Sequence, residues 1–209
     1  MKPKSIILLY CCMFSMHATS QKVTKTILRK GNVYVQSGKN SFSQISKLGC
    51  DTLPILSNDK KFVIFLRHLP EKYDYVTQIV RVDIATTTET VLVRACTDNP
   101  RVSTPISYAN SFNYPFSCLG SIEKIFLSPN NQRIYFQAEA WTVSAAIHYY
   151  DMATTKIHFF SSGSISCVFS NGMLDIEITG NEGNGRYWQH FLFDTNGKKI
   201  TPALGEKTY

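Results

Sequence analysis

The chain has 209 residues, which is enough for one substantial domain with a sizeable core. It holds 22 Lys and Arg residues against 15 Asp and Glu residues, for a formal net charge of +7. These charges are scattered along the chain, whereas a nucleic-acid groove needs clustered Lys and Arg. We therefore expect no nucleic-acid partner.

The first residues have the layout of a secretory signal peptide. A positive start is followed by a short apolar run at residues 5–14 and by small residues before Gln21. No later segment is apolar enough to cross a bilayer. We predict a signal peptide at residues 1–20 and a mature domain at 21–209 that is periplasmic or secreted, with no stable membrane insertion. The alternatives are an uncleaved anchor and a buried first strand.

The first strand signals of the mature chain fall at residues 32–36 and 43–45. They are typical of the last two strands of an incomplete sheet. A longer pattern then begins near residue 53 and continues almost to the end of the chain.

This longer pattern is a cassette that occurs three times. Each copy predicts strand, tight turn, strand, loop, strand, tight turn and strand, which is one blade of a β-propeller. The copies open at residues 56–65, 127–136 and 169–176, and they resume at 79–87, 148–155 and 192–197. The expected fold is therefore all-β, a propeller-like array of about three full four-stranded blades plus a partial N-terminal blade.

The strand patterns predict where each strand lies in its blade. Residues 62–66 are an unbroken apolar run, which suits an inner strand covered on both faces. Residues 88–94 and 156–160 are predicted to be outer strands. Closed propellers have about four to eight blades. Either the N-terminal strands complete a small ring, or the array stays open, or two chains combine as a homodimer.

Turn residues separate these strands. Asn and Asp at 58–60 and 129–131, and Asn-Gly at 196–197, suit tight turns because they tolerate left-handed backbone geometry. One aspartate precedes the last turn of each copy, and we expect it to accept hydrogen bonds from the turn's amides, with metal binding or catalysis as the alternative. These aspartates are Asp83, Asp151 and Asp194.

An insertion interrupts the spacing of the copies. Ser128 and Ser170 are 42 positions apart, which suits one blade, but Ser57 and Ser128 are 71 apart. Part of the surplus lies at 95–119, and loops of this length are often functional. Its aromatic residues are the candidate partner-binding patch, and a loop that only packs on itself is the alternative. They are Tyr108, Phe112, Tyr114 and Phe116.

Four cysteines follow the predicted signal peptide, and export makes disulfides possible. Cys96 and Cys118 flank the insertion, so we favour a disulfide between them. Cys50 and Cys167 form a second disulfide or are buried thiols. The spacings do not match a zinc site.

The motif Leu127-Ser128-Pro129-Asn130-Asn131, followed by a strand, an aspartate and a Thr-rich turn, resembles the propeller repeats of TolB-type, WD40-like periplasmic proteins. Similar repeats occur in the propellers of prolyl oligopeptidase-type peptidases. The resemblance covers residues 53–204. It implies an exported protein-interaction scaffold and brings no catalytic residues with it.

No enzyme motif was found, so we expect a non-enzymatic protein without a cofactor that binds a protein or a component of the cell envelope. The alternative is a glycan-binding or glycan-processing accessory protein, favoured by Trp141 and Trp188 together with the carboxylates of Glu139, Asp175 and Glu177. A third possibility is a truncated propeller without an independent function.

Overall fold

The computed structural model describes residues 23–70, 75–95, 119–140, 144–182 and 185–202. These residues form fifteen β-strands in four sheets. Sheet A contains β1 (Val23–Arg29), β2 (Asn32–Ser37) and β3 (Phe42–Gln44); sheet B contains β4 (Asp51–Leu56), β5 (Phe62–Pro70), β6 (Tyr75–Asp83) and β7 (Glu89–Arg94); sheet C contains β8 (Ile122–Leu127), β9 (Arg133–Ala140), β10 (Ser144–Asp151) and β11 (Lys156–Ser162); sheet D contains β12 (Ser164–Val168), β13 (Leu174–Glu182), β14 (Gly185–Phe193) and β15 (Lys199–Pro202).

Every sheet is an antiparallel meander in which strands adjacent in sequence are adjacent in space. This arrangement confirms the predicted all-β array of three four-stranded blades with a smaller N-terminal sheet. The prediction of two strands for that smaller sheet was incomplete, since β1 pairs with β2 and makes a third. A bulge between Val23 and Lys25 interrupts the alternation of β1, so its sequence lacks a clear strand pattern.

The sheets pack face to face in the order A, B, C and D. On β5, Phe62, Ile64 and Leu66 belong to the core shared with sheet C, whereas Val63 and Phe65 belong to the core shared with sheet A. Successive side chains of a strand point to opposite faces, so one unbroken apolar run fills two cores. This confirms that residues 62–66 form an inner strand covered on both sides.

The neighbouring sheets are joined by separate apolar cores. Val33 and Val35 of sheet A pack against sheet B, and Tyr135 and Ile147 of sheet C pack against sheet D. In the described part of the chain, no core cluster joins sheet D to sheet A. The array therefore has two terminal sheets, each with one face that no other sheet covers.

The connections between strands lie at two ends of the array. The end that we call the turn end holds the tight turns after β4, β6, β8, β10, β12 and β14. At the opposite end, the loop end, the strands β5, β7, β9 and β13 finish and the strands β6, β8, β10 and β14 begin. The predicted outer strands are confirmed as β7 and β11, the last strands of sheets B and C.

An ion pair lies inside sheet B, next to the core shared with sheet A. Arg67 of β5 donates from Nε to Oδ1 of Asp51 at 2.7 Å and from Nη2 to Oε2 of Glu89 at 2.9 Å. The side chain of Asp51 is fully buried. Burial acts to lower the pKa of Arg67, but its hydrogen bonds with Glu89 and Asp51 outweigh burial and raise the pKa above the ordinary value.

A buried histidine lies on β10 of sheet C, in register with Phe136 of β9 and Phe159 of β11. The ring of His148 stacks on Phe136 with centroids 5.4 Å apart and meets the edge of Phe159 at 5.7 Å. Neither ring nitrogen has a hydrogen-bond partner among the described residues, and the side chain is fully buried. Burial lowers the pKa of His148 to about 4, so the ring is neutral at pH 7.

We predict that His148 makes the fold acid-sensitive. Because its pKa is lower in the folded chain than in the unfolded chain, the unfolded chain takes up the proton first as the pH falls from about 6.5 towards 4. This group alone should reduce the free energy of unfolding by about 2 kcal/mol between pH 7 and pH 5. Urea denaturation at both pH values measures the loss. The His148→Phe variant should lose about 2 kcal/mol less than the wild type over that range, and an equal loss in both proteins would contradict the prediction.

We also predict that the contributions of Arg67 and Asp51 to the free energy of unfolding depend on each other. The Arg67→Met variant leaves a fully buried carboxylate without its cation, which should cost about 3–5 kcal/mol of unfolding free energy. Adding Asp51→Leu removes that carboxylate and should recover part of the loss. Urea denaturation of the two variants and the wild type tests this order. A single variant as stable as the wild type would show that the pair is not needed.

Candidate interaction surfaces

At the turn end, one aspartate organises the last turn of each four-stranded sheet. The carboxylate Oδ1 accepts hydrogen bonds from two backbone amides of the turn that follows. Asp83 accepts from Ala85 and Thr86 at 3.0 and 3.2 Å, Asp151 from Ala153 and Thr154 at 3.0 and 2.8 Å, and Asp194 from Asn196 and Lys198 at 2.9 and 2.8 Å. The predicted structural role of these aspartates is confirmed.

The turns of neighbouring sheets also contact one another. The backbone amide of Asn58 donates to Oδ1 of Asn131 at 3.0 Å, and its side-chain Nδ2 donates to the carbonyl of Pro129 at 2.7 Å. The predicted turns at 58–60 and 129–131 therefore connect strands within sheets B and C and also join the two sheets. Lys60 and Asn131 both have left-handed backbones, with φ of 59°.

A groove of about 410 Å³ lies between sheets C and D at the turn end. The guanidinium of Arg133 on its wall lies 4.7 Å from the ring centroid of Tyr149, and its Nη1 donates to the carbonyl of Thr195. Asp151, which pairs in register with Arg133 on the same wall, accepts hydrogen bonds from its own turn. The charged groups of the groove are thus hydrogen-bonded to the neighbouring turns rather than directed at a ligand.

Gly172 brings the turns of sheet D close together at this groove. Its φ of +85° is in the left-handed region, and a Cβ atom built there would lie 2.8 Å from Cγ2 of Thr195. Only glycine fits both the conformation and the space without a shift of its neighbour. The shortened third copy of the cassette, with Asn171-Gly172 in place of the longer turn, therefore packs against the last turn of its own sheet.

The predicted partner-binding patch falls in the insertion between β7 and β8. Ala95 and Leu119, which begin and end the insertion, are both buried. The residues predicted to form the patch and its disulfide lie outside the described residues, so both assignments stay predictions. These residues are Tyr108, Phe112, Tyr114, Phe116, Cys96 and Cys118.

The two remaining cysteines do not pair with each other. Cys50 precedes β4 of sheet B and Cys167 lies on β12 of sheet D, and both are free, half-buried thiols. Burial raises the pKa of each thiol, and a nearby aspartate raises it further. The thiol alternative for this pair is therefore correct, although neither side chain is fully buried.

The uncovered face of sheet D, here the D face, combines charge with an exposed aromatic ring. On β13, Asp175 and Glu177 alternate with Leu174 and Ile176, which are buried against sheet C. On β14, His190 pairs in register with Glu177, and Trp188 is 55% exposed. Of the predicted candidate glycan-binding residues, Asp175, Glu177 and Trp188 therefore share one surface. Glu139 lies apart from them on β9 of sheet C, and Trp141 lies outside the described residues.

His190 also belongs to the D face, although no sequence motif had marked it as a candidate. Nδ1 of His190 lies 3.1 Å from Oδ1 of Asp175 and 3.2 Å from its Oδ2. The available signal was the strict alternation Leu-Asp-Ile-Glu-Ile-Thr at 174–179, which marks a strand with only one covered face. The inner strands of sheets B and C lack that alternation.

The D face does not form a nucleophilic centre with Cys167. Cys167 pairs in register with Asp175, while His190 contacts Asp175 from the other neighbouring strand. The carboxylate thus lies between the thiol and the imidazole, whereas an activated cysteine needs a base beside the thiol. Burial, with the charge of Asp175 added to it, raises the pKa of Cys167, so the thiol is protonated at pH 7.

The uncovered face of sheet A, here the A face, carries the opposite charge. Lys25 pairs in register with Gln36, and Arg29 with Asn32, all on the face away from sheet B. The guanidinium of Arg29 lies 4.3 Å from the ring centroid of Phe42 and 5.7 Å from that of Tyr34. Lys25, Arg29 and Phe42 are all exposed.

The described residues contain no group of three His, Cys, Asp or Glu residues placed to hold a metal ion. They also contain no helix that is long and apolar enough to span a membrane.

Solved structures similar to this chain include the propeller domain of a protease and a whole peptidase. The propeller domain of the Trilobed protease from Pyrococcus furiosus matches at 13% identity and a TM-score of 0.54, over 84% of this chain and 48% of that domain. Dipeptidyl peptidase 4 from Porphyromonas gingivalis matches at 11% identity and a TM-score of 0.57, over 85% of this chain and 30% of the peptidase. These matches support the propeller fold, and this chain spans less than half the length of either protein.

TolB from Acinetobacter baumannii matches at 15% identity and a TM-score of 0.33, over 83% of this chain and 49% of TolB. No family model matches the chain, and no curated protein is similar to it. The described residues thus form a β-propeller array in which the two terminal sheets each have one face that no other described sheet covers.

Proposed function

We propose that this chain is an exported, non-enzymatic propeller module that binds another protein through the D face. The observation that carries the proposal is Trp188, which is 55% exposed on the same face as Asp175, Glu177 and His190. Exposed aromatic side chains surrounded by polar groups are typical anchors of protein interfaces. The D face also belongs to a terminal sheet, so it is accessible without any rearrangement of the array.

The chemistry of the D face fits binding better than catalysis. Asp175 is engaged with His190, and the thiol of Cys167 is protonated at pH 7. The carboxylates of Asp175 and Glu177, on the strand next to Trp188, suit a partner surface with basic side chains and an apolar pocket. The absence of a cofactor remains part of the proposal, as does a location in the periplasm or outside the cell.

The proposal of export rests on the predicted signal peptide. We expect the mature protein, purified from the cell envelope or the medium of its host, to begin at Gln21. Intact-mass measurement with N-terminal sequencing tests this, since the apolar residues 5–14 would be missing from the mature chain. A mature chain that retains Met1 would contradict cleavage and favour an uncleaved anchor.

The binding surface can be mapped by photo-crosslinking. A photo-reactive phenylalanine analogue in place of Trp188 should give discrete protein adducts when the full chain is irradiated in its host. The matched control carries the same analogue in place of Val91, which is 47% exposed on β7 and away from both terminal faces. Adducts of equal yield at positions 188 and 91 would remove the D face as the binding surface.

A glycan-binding function is the second candidate, because Trp188 and two carboxylates share the D face. Sugar rings stack on exposed aromatic faces, while carboxylates accept hydrogen bonds from hydroxyl groups. Binding of the wild type to immobilised glycans, lost in the Trp188→Ala variant, would support this candidate against the first. A glycan array without signal above background would exclude it.

A further inference from the structure

We propose that the protein bound at the D face is a second copy of this chain, which contributes its A face. This inference rests on the proposed function, because it names the partner of the same surface. It also goes further, because it assigns a role to the A face and predicts a defined assembly.

The first argument is charge. The D face presents the carboxylates of Asp175 and Glu177, whereas the A face presents the cationic groups of Lys25 and Arg29. Opposite charges on two facing surfaces favour encounter and fix their register, while like charges exclude a face from pairing with itself. Two D faces would therefore repel each other, and contact between a D face and an A face is the favoured combination.

The second argument is the aromatic content of the two faces. Trp188 is the exposed aromatic residue of the D face, and Phe42 and Tyr34 lie on the A face beside Arg29. The guanidinium of Arg29 is already held against these rings, so little side-chain freedom is lost when the surface is covered. An aromatic anchor on one side and a preorganised aromatic and cationic surface on the other make a complementary pair.

The third argument is the architecture. Sheets A to D already pack face to face three times within one chain, so a contact between D and A of another copy extends the same arrangement. Each copy has one A face and one D face, so the contact runs head to tail. Two copies together contain eight sheets, which lies within the range of closed propellers of about four to eight blades.

The proposed contact differs from the internal ones in its chemistry. The core between sheets B and C is built from aliphatic and aromatic side chains such as Ile64, Leu66 and Phe136. The contact between the D and A faces relies mainly on charge, so it should weaken as salt screens the two surfaces. We therefore expect a reversible homodimer that dissociates on dilution and at high salt.

The test uses the full mature chain and light scattering coupled to size exclusion. At about 0.05 M salt we expect twice the mass of one chain, and at about 1 M salt a shift towards the single-chain mass. A first variant carries Lys25→Glu with Arg29→Glu, and a second carries Asp175→Lys with Glu177→Lys. Each alone should self-associate at least about tenfold more weakly, because its two terminal faces then have the same sign of charge.

Mixing the two variants provides the decisive measurement. The first variant has two acidic faces and the second has two basic faces, so a mixture should form a heterodimer of two-chain mass. Each variant should melt as cooperatively as the wild type, which separates loss of pairing from loss of folding. The matched control, Lys47→Glu with Lys156→Glu, has the same change in charge at exposed positions away from both faces and should remain dimeric.

The results separate this inference from the proposed function. A wild-type chain that is monomeric at all concentrations, or a mixture of folded variants that stays monomeric, would overturn the homodimer. If the crosslinker at position 188 still captures a different protein, the D face binds proteins and only the identity of the partner is wrong. If the crosslinker captures a second copy of the chain, the two proposals stand together.

Discussion

The apolar side chains of β5 point alternately into the cores shared with sheets A and C, and this double burial constrains the rest of the array. The core with sheet C buries Phe62, Ile64 and Leu66. The core with sheet A buries Val63 and Phe65. A four-stranded sheet with two apolar faces exposes both of them when it is alone, so sheet B cannot be stable without neighbours on each side. Sheet C has the same requirement, since Phe136 faces sheet B and Tyr135 faces sheet D. The turns at the turn end keep these layers aligned, and the bonds from Asn58 to Pro129 and Asn131 do so directly.

Termination of the array follows from the same constraint. A terminal sheet needs one apolar face for its neighbour and one face that tolerates water. In sheet D the two are separated on a single strand, with Leu174 and Ile176 inside and Asp175 and Glu177 outside. Polar groups inside the array occur in a different setting. Arg67 has carboxylate partners, whereas His148 remains neutral between aromatic rings because burial disfavours its charged form. The interior therefore admits polar side chains only when they are paired or uncharged.

Much of the fold could be predicted from the sequence, because the signals that determine it are local. The apolar run at 62–66 and the aspartates at the last turns identified strands and turns that the structure confirms. The strand β1 could not be predicted, since its bulge between Val23 and Lys25 removes the alternation that marks a strand. The candidate site was predicted only in part. Asp175, Glu177 and Trp188 were recognised as separate candidates, but their common face depends on the register between β13 and β14, which no local pattern encodes.

The polarity of the terminal faces also bears on specificity. An apolar sheet face left open at the end of an array would bind any similar surface and lead to aggregation. Charged side chains prevent this at a cost in affinity, because a charged surface must lose water before it is covered. A single aromatic ring among charged groups allows a surface to combine specificity with affinity. The charged groups select the partner, and burial of the ring contributes affinity once the partner is in register. In the proposed contact, the ring of Trp188 would supply the buried area. Its position on β14, next to the register pair of His190 and Glu177, would then place affinity and selectivity on the same two strands.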